Sequence, residues 1–282
     1  NEASSLRFQY NAMQLLCCGI VCVVTGIYTF SIPRIKDGYV RKEEGEHHIG
    51  FRESLRIMFG TKGMTTFLVF VIFSGVCLQI SNGYATPFIT HFMGIEEYSR
   101  SLASENATML FSLSQISEAA CILLVGFMLG NAGIRGVYAL GLLAWSLRFL
   151  MFGFGNPSGG VWLLVGSMIM YGIAFNFITI AGHIHIQKIS PEGMKGFAQG
   201  LMMFMSNGIG ATSGTLCAGA IVNHWCRWEM VTSEATGKTM RLFMGEWEWP
   251  WLIFSAYSFV IMLLWLMTFR EKRNRISTGN MP

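Results

Sequence analysis

The sequence predicts an all-α protein, a polytopic membrane helical bundle, on three observations. Of 282 residues, 52% are hydrophobic and only 13% carry a charge, whereas a soluble domain carries about 25%. The charges gather in short stretches between long uncharged ones, which is the pattern of membrane spans. A transmembrane barrel would instead need a series of alternating segments of about ten residues, and the sequence has no such series.

Seven stretches are long enough to cross about 30 Å of hydrocarbon, which takes roughly 20 helical residues. They lie near 10–32, 64–90, 107–130, 136–155, 161–186, 197–222 and 250–269. In lipid the backbone must satisfy its own hydrogen bonds, so each is read as a helix. The 32 glycines suit helices that approach closely where lipid supplies little hydrophobic force. The GxxxG pairs Gly126/Gly130, Gly196/Gly200 and Gly210/Gly214 are expected to mark such packing. Six of seven cysteines sit in apolar runs and only Cys226 in a polar loop, so they read as packing residues rather than a disulfide framework. Trp247, Trp249 and Trp251 around Pro250 read as an aromatic belt at the outer interface. Segment 49–59 is amphipathic and is expected to lie along the membrane surface.

The Lys and Arg residues are divided unequally. Segment 33–62, loops 131–135 and 187–196, and the tail after 269 together hold fourteen, and the alternate side holds five. By the positive-inside rule the first set is cytoplasmic. The carboxyl end then lies inside and the amino end outside. The chain begins at Asn1 with no signal peptide to carry it across, so the expectation is a twelve-span protein cut before its sixth helix. Residues 1–32 would be the last helix of the first half, 33–62 the cytoplasmic loop between halves, 63–270 a six-helix bundle, and 271–282 a cytoplasmic tail. The net charge of +4 follows from this asymmetry and is no sign of nucleic-acid binding.

Polar groups inside the membrane are costly and therefore point to function. Gln79 and Asn82 share one face of the second span, and Gln115 and Glu118 share one face of the third, each pair three residues apart. Tyr171, Phe175 and Asn176 form an i, i+4, i+5 set on the fifth span, and Ser206 and Asn207 begin a run of small residues on the sixth. Lone amides are often interhelical glue, but three helices bearing an amide or acid beside aromatic residues favour a binding site. A carboxylate at mid-span must be protonated, paired or hydrated, so Glu118 is expected to face a water-accessible cavity. Arg148 sits nearer the end of its span and reads as a snorkelling structural residue. His183 and His185, at the cytoplasmic end of the fifth span, read as structural too.

These residues fall in five motifs: LQISNGYATPFITHF, SLSQISEAACILL, AWSLRFLMFGFGNP, YGIAFNFITIAG and KGFAQGLMMFMSNGIG. In order and spacing, from about residue 60 to 275, they resemble the nucleoside:proton symporters of the major facilitator superfamily. The resemblance implies the major facilitator fold, here its C-terminal half plus the preceding helix, and alternating access with substrate held between halves. It implies binding of a nucleoside by Gln79, Asn82, Gln115, Glu118, Tyr171, Phe175 and Asn176, with proton coupling at Glu118. The expected partners are a small-molecule nucleoside, H⁺ and the lipid bilayer of a bacterial cytoplasmic membrane, with no nucleic acid, no cofactor and no metal, in a monomer. The chemistry agrees, since amides meet base and ribose groups and aromatic rings stack on the base. One departure stands out: the family usually carries an aspartate where this chain has Asn176, which removes a candidate proton carrier.

That departure leaves open a facilitator for another polar solute, such as a sugar or a modified nucleoside. A receptor that binds without transporting is a third reading, with loop 223–249 as a docking surface. An enzyme is not expected, because HExxH, serine-nucleophile and phosphate-loop motifs are all missing from the sequence.

Overall fold

The computed structural model describes residues 2–31, 50–98, 101, 107–233 and 238–269. The expected loop up to residue 49 and the tail beyond 269 lie outside them. The chain divides into two compact units at residue 49/50. The first contains α1 (Glu2–Ser31). Within this apolar helix the Thr25 and Thr29 hydroxyls donate to the backbone carbonyls of Val21, Thr25 and Gly26, which lets threonines sit in a span without unpaired donors.

The second unit opens with the short helix α2 (Phe51–Gly60). Met58 is fully buried, and Phe51 packs edge-on against Phe197 with centroids 5.8 Å apart. The amphipathic segment therefore forms a helix, as its pattern predicts. Next comes α3 (Met64–His91), followed by two short 3₁₀ turns, Phe92–Gly94 and Glu96–Tyr98.

The helical stretch Ala107–Phe154 breaks at a single residue, Gly133, with φ 63° and ψ 179°. It therefore comprises α4 (107–132) and α5 (134–154). Only glycine takes that backbone conformation without a steric cost, so one residue reverses the chain where the sequence suggested a five-residue loop. Then follow α6 (Val161–Ile189), α7 (Lys195–Met203), a π-helical segment Phe204–Gly210, α8 (Ala211–Trp225) and α9 (Glu248–Thr268). Helices α7 and α8 continue through the π segment as one span. The π turn fills the run SNGIG, where small side chains crowd least and Gly210 meets Gly75 of α3.

Segment 223–249 is not irregular. Strands β1 (Cys226–Ser233) and β2 (Lys238–Gly245) pair antiparallel, in register from Cys226↔Gly245 to Ser233↔Lys238. Burial pushes the Cys226 thiol up to about 12, and the nearby Glu246 carboxylate adds to the shift.

Aromatic side chains dominate the core of this unit. Trp145, Trp251, Trp265, Phe149, Phe152 and Phe254 are all fully buried. The belt expectation fails for two of its three tryptophans. Trp251 (0% exposed) and Trp247 (3%) pack inward on Phe88 and Phe152, and only Trp249 (53%) faces out. Positions 247 and 251 lie four residues apart at the start of α9, so both face inward on one side.

Polar pairs pin the helices where lipid gives no hydrophobic pressure. Ser146 of α5 and Ser255 of α9 exchange hydroxyl-to-carbonyl hydrogen bonds of 3.0 and 2.9 Å. Ser74 of α3 meets the Tyr138 hydroxyl at 2.9 Å, and Cys77 meets Ser258 at 3.3 Å. His183 bonds the Gln199 side chain, and Gln199 Nε2 donates back to the His183 carbonyl at 3.0 Å. His185 lies among Phe67 and Phe269. Both histidines thus serve packing, as expected. Of the three GxxxG pairs only Gly210/Gly214 packs closely on another helix, α3; a Cβ added at any of the other four would meet no atom of another element within 4 Å.

Candidate functional site

Four helices converge on one cavity of about 270 Å³. Asn82, Ala85 and Thr86 line it from α3, Phe111, Ser114 and Gln115 from α4, Tyr171 from α6, and Arg148 from α5. Small-molecule pockets run about 300–1,000 Å³, so this one suits a single compact solute. Asn82, Gln115 and Tyr171, placed on one site from sequence spacing, do come together here.

The other four candidates lie about one helical turn away. Helix α3 runs toward the hairpin end, whereas α4 and α6 run away from it, so Gln79, Glu118 and Phe175 all step in the same direction from the cavity. Phe175 lies parallel to Tyr171, with centroids 5.8 Å apart and rings at 3°. The two rings give a continuous aromatic strip along α6. Glu118 is half-buried, and among the described residues its carboxylate has no hydrogen-bond or ion-pair partner. Gln79 sits where α3 crosses α8: a Cβ built on Gly214 would lie 3.1 Å from its Cβ.

Asn176 does something different. It is 3% exposed, and its Nδ2 donates to the backbone carbonyl of Glu118 at 2.7 Å. This amide ties α6 to α4 beside the acid and does not line the cavity. An ionised aspartate has no hydrogen to donate there. The departure at this position thus has a structural correlate: asparagine supplies the hydrogen bond that holds the Glu118 turn against α6. The same contact is closed by Ser117, which donates to the Ile169 carbonyl at 2.6 Å, and by Gly172. A Cβ at Gly172 would come 2.5 Å from the Ser117 carbonyl carbon and oxygen.

Arg148 overturns the snorkelling expectation. It is 2% exposed, its guanidinium carbon stands 4.8 Å from the ring centroids of both Phe152 and Tyr171, and Nη1 donates to the Ser167 carbonyl. It lines the cavity rather than reaching for the interface. The signal available in the sequence was its spacing: Arg148 lies three residues beyond Trp145 and four before Phe152, on the buried face of its helix. Ser114, on the same face of α4 as Glu118 one turn earlier, also lines the cavity while its hydroxyl meets the Met168 sulfur at 3.0 Å.

A larger cavity of about 540 Å³ lies at the hairpin end, bounded by Phe88, His91, Phe152, Asn156, Glu246 and Trp247 among others. It contains none of the seven candidate residues. The smaller cavity is the better candidate because amides, a phenol and a cation converge on it from four helices.

Residues 2–274 match the family described as Nucleoside H+ symporter. The nucleoside permease NupG of Escherichia coli (strain K12) is 31% identical over 275 residues, covering 96% of this chain and 62% of the permease. The xanthosine permease of the same organism is 28% identical over 270 residues, covering 95% of this chain and 60% of that protein. A crystal structure of nucleoside transporter NupG matches with a TM-score of 0.70 at 29% identity, over 92% of this chain and 61% of that one; a mutant form gives 0.73. The chain therefore spans about three-fifths of the length of these relatives.

Proposed function

The chain belongs to the nucleoside H+ symporter family, and we propose that it provides one wall of a path by which a nucleoside and a proton cross a membrane. The observation that carries the reading is the convergence of Asn82, Gln115 and Tyr171 on one cavity with Glu118 one turn away. Amides meet the base and ribose groups, and the Tyr171–Phe175 strip offers a flat apolar surface to the base. Gln79, at the α3–α8 crossing, and Asn176, at the α4–α6 tie, hold the helices that carry these groups. Glu118 takes up the proton, and its charge state is linked to occupancy of the cavity beside it.

The remaining parts follow from the distribution of charge. The membrane is a bacterial cytoplasmic membrane with the carboxyl end inside, a reading supported by fourteen Lys and Arg on that side against five on the other. The unit from residue 50 onward supplies the wall that carries the cavity. A single copy of the protein is the transporting unit in this reading. A sugar as cargo is not favoured: both curated permeases described above are named for nucleoside substrates.

The test is uptake of labelled uridine and adenosine by cells expressing the full-length gene, with and without a proton uncoupler. Accumulation that collapses on uncoupling supports proton-driven import. Verified membrane insertion without uptake of either nucleoside refutes the assignment of substrate.

A further inference from the structure

We infer that Arg148 reads a carbonyl oxygen on the edge of the bound base, so that the cavity selects oxo-bases over their amino counterparts. This rests on the nucleoside-binding reading given above and adds a determinant of selectivity to it.

The argument starts from the cost of the residue. A guanidinium buried between helices is among the most expensive groups a membrane protein carries, and such groups pair with a carboxylate, with backbone carbonyls or with a ligand. Among the described residues no carboxylate pairs with Arg148. Of its five N–H donors, one reaches the Ser167 carbonyl, while the buried Nε–H has no partner. The guanidinium carbon stands 4.8 Å from the ring centroids of both Phe152 and Tyr171. That guanidinium lines the cavity that brings Asn82, Gln115 and Tyr171 together. A tie to one backbone carbonyl would need no charge, since an amide side chain could make it. A ligand acceptor in the cavity that Arg148 lines accounts for the charge.

The chemistry of the lining then fixes which acceptor matters. Ser81, Thr86, Ser114 and Tyr171 carry hydroxyls, which donate or accept; Asn82 and Gln115 carry amides, which do both. None of these can tell a carbonyl from an amino group, because each reorients to suit. Arg148 is the one donor-only side chain in the lining. A ring carbonyl facing it accepts its hydrogen bond, whereas an exocyclic amino group in the same place presents hydrogens to hydrogens. Sites built around such a donor reject the wrong partner strongly.

Uridine and cytidine are the minimal pair, since they share the ribose and differ along one base edge, where a carbonyl and N–H are replaced by an amino group and a ring acceptor. The experiment measures Kd of both for the purified full-length protein and for Arg148→Gln, whose amide donates or accepts. Tighter binding of uridine by about tenfold or more, the range of a hydrogen bond to a charged group, is the expected result. In Arg148→Gln the preference falls to about twofold or less. Equal Kd values in the unmutated protein overturn the inference whatever the variant does, so a misfolded variant does not shield it. A purely structural arginine weakens both ligands alike when replaced and keeps their ratio, and that outcome also overturns it. Selective binding without uptake in cells leaves this inference standing and refutes the transport reading instead.

Discussion

Replacing Gly172 by alanine tests the contact on which the candidate site is built. The added Cβ would stand 2.5 Å from the Ser117 carbonyl carbon and oxygen, against about 3.5–4.0 Å for unstrained contact between carbon atoms. The obstacle is backbone, so no rotamer change relieves it and α4 must move from α6 by about 1 Å. Overpacking of this kind costs about 1–3 kcal/mol. The Asn176–Glu118 hydrogen bond, 2.7 Å long, stretches beyond useful length, and membrane hydrogen bonds average about 0.6 kcal/mol with a maximum near 1.7. Alanine returns about 0.5–1 kcal/mol over glycine inside a helix. The net loss is roughly 2 kcal/mol, which corresponds to about 4–8 °C in Tm for a domain of this size. Thermal unfolding in detergent, followed by tryptophan fluorescence, measures it. Gly126→Ala on the same α4 is the control: nothing lies within 4 Å of that position, so it is expected to be neutral or slightly stabilising. If the Tm of Gly172→Ala matches that of the control, α4 and α6 do not approach as described and the geometry around Glu118 is wrong.

Two further outcomes follow from the same structure. Asn176→Ala is expected to cost about 1 kcal/mol, because the Glu118 carbonyl keeps its intrahelical partner and loses only the interhelical one; a Tm drop comparable to that of Gly172→Ala would show that Asn176 carries more than this tie. The Cys226 thiol, pushed up to about 12 by burial and then by Glu246, stays protonated at pH 8, since a raised thiol pKa favours the neutral form below it. Maleimide is therefore expected to leave Cys226 unmodified in the folded protein at pH 8 and to modify it after denaturation, read by mass spectrometry of the peptide; prompt labelling of the folded form would refute the buried hairpin base.

How much of this was legible in the sequence depends on which forces decide each element. Helices match six of the seven predicted stretches to within a few residues, because hydrophobic length is a one-dimensional quantity, whereas the first begins at Glu2 rather than near residue 10. The amphipathic segment before Gly60 was equally visible, since its face pattern is local. The β-hairpin was missed for the opposite reason. Its pairing of Cys226 with Gly245 joins residues nineteen apart, and its strands hold Arg227, Glu229, Lys238 and Arg241, which read as a polar loop. Burial does not alternate along them either: Leu242 and Phe243 are adjacent and both buried, while Trp228 and Met230 are exposed. The GxxxG pairs misled because motif spacing is silent on what faces the helix: Gly172, in no such pair, makes the tighter contact. Asn82, Gln115 and Tyr171 were found from spacing, yet Arg148 was not, because distance from a span's end cannot distinguish a snorkelling cation from one turned inward between two rings.

On the proposed reading, the single acid that the described residues place beside the cavity predicts a stoichiometry. Every other described carboxylate lies on α1, on α2, in the loops, on the hairpin or at the start of α9, which leaves Glu118 alone inside the bundle formed by α3 to α9. Asn176, tied to the Glu118 carbonyl, offers no second proton carrier. A neutral nucleoside moved with one proton carries one positive charge, so the path is expected to couple one proton to each nucleoside. Proteoliposomes holding an imposed membrane potential measure this as the uridine gradient at which net flux stops: one charge allows about tenfold accumulation for each 59 mV, and two charges allow a hundredfold. Glu118→Gln is expected to abolish concentrative uptake while retaining exchange of labelled for unlabelled uridine, because exchange needs the cavity but no change of protonation. Concentrative uptake surviving in Glu118→Gln would refute the assignment outright. A hundredfold accumulation lost on the same substitution would instead place a second proton carrier outside the described residues, and would show that the asparagine at position 176 left the coupling to be completed elsewhere in the protein.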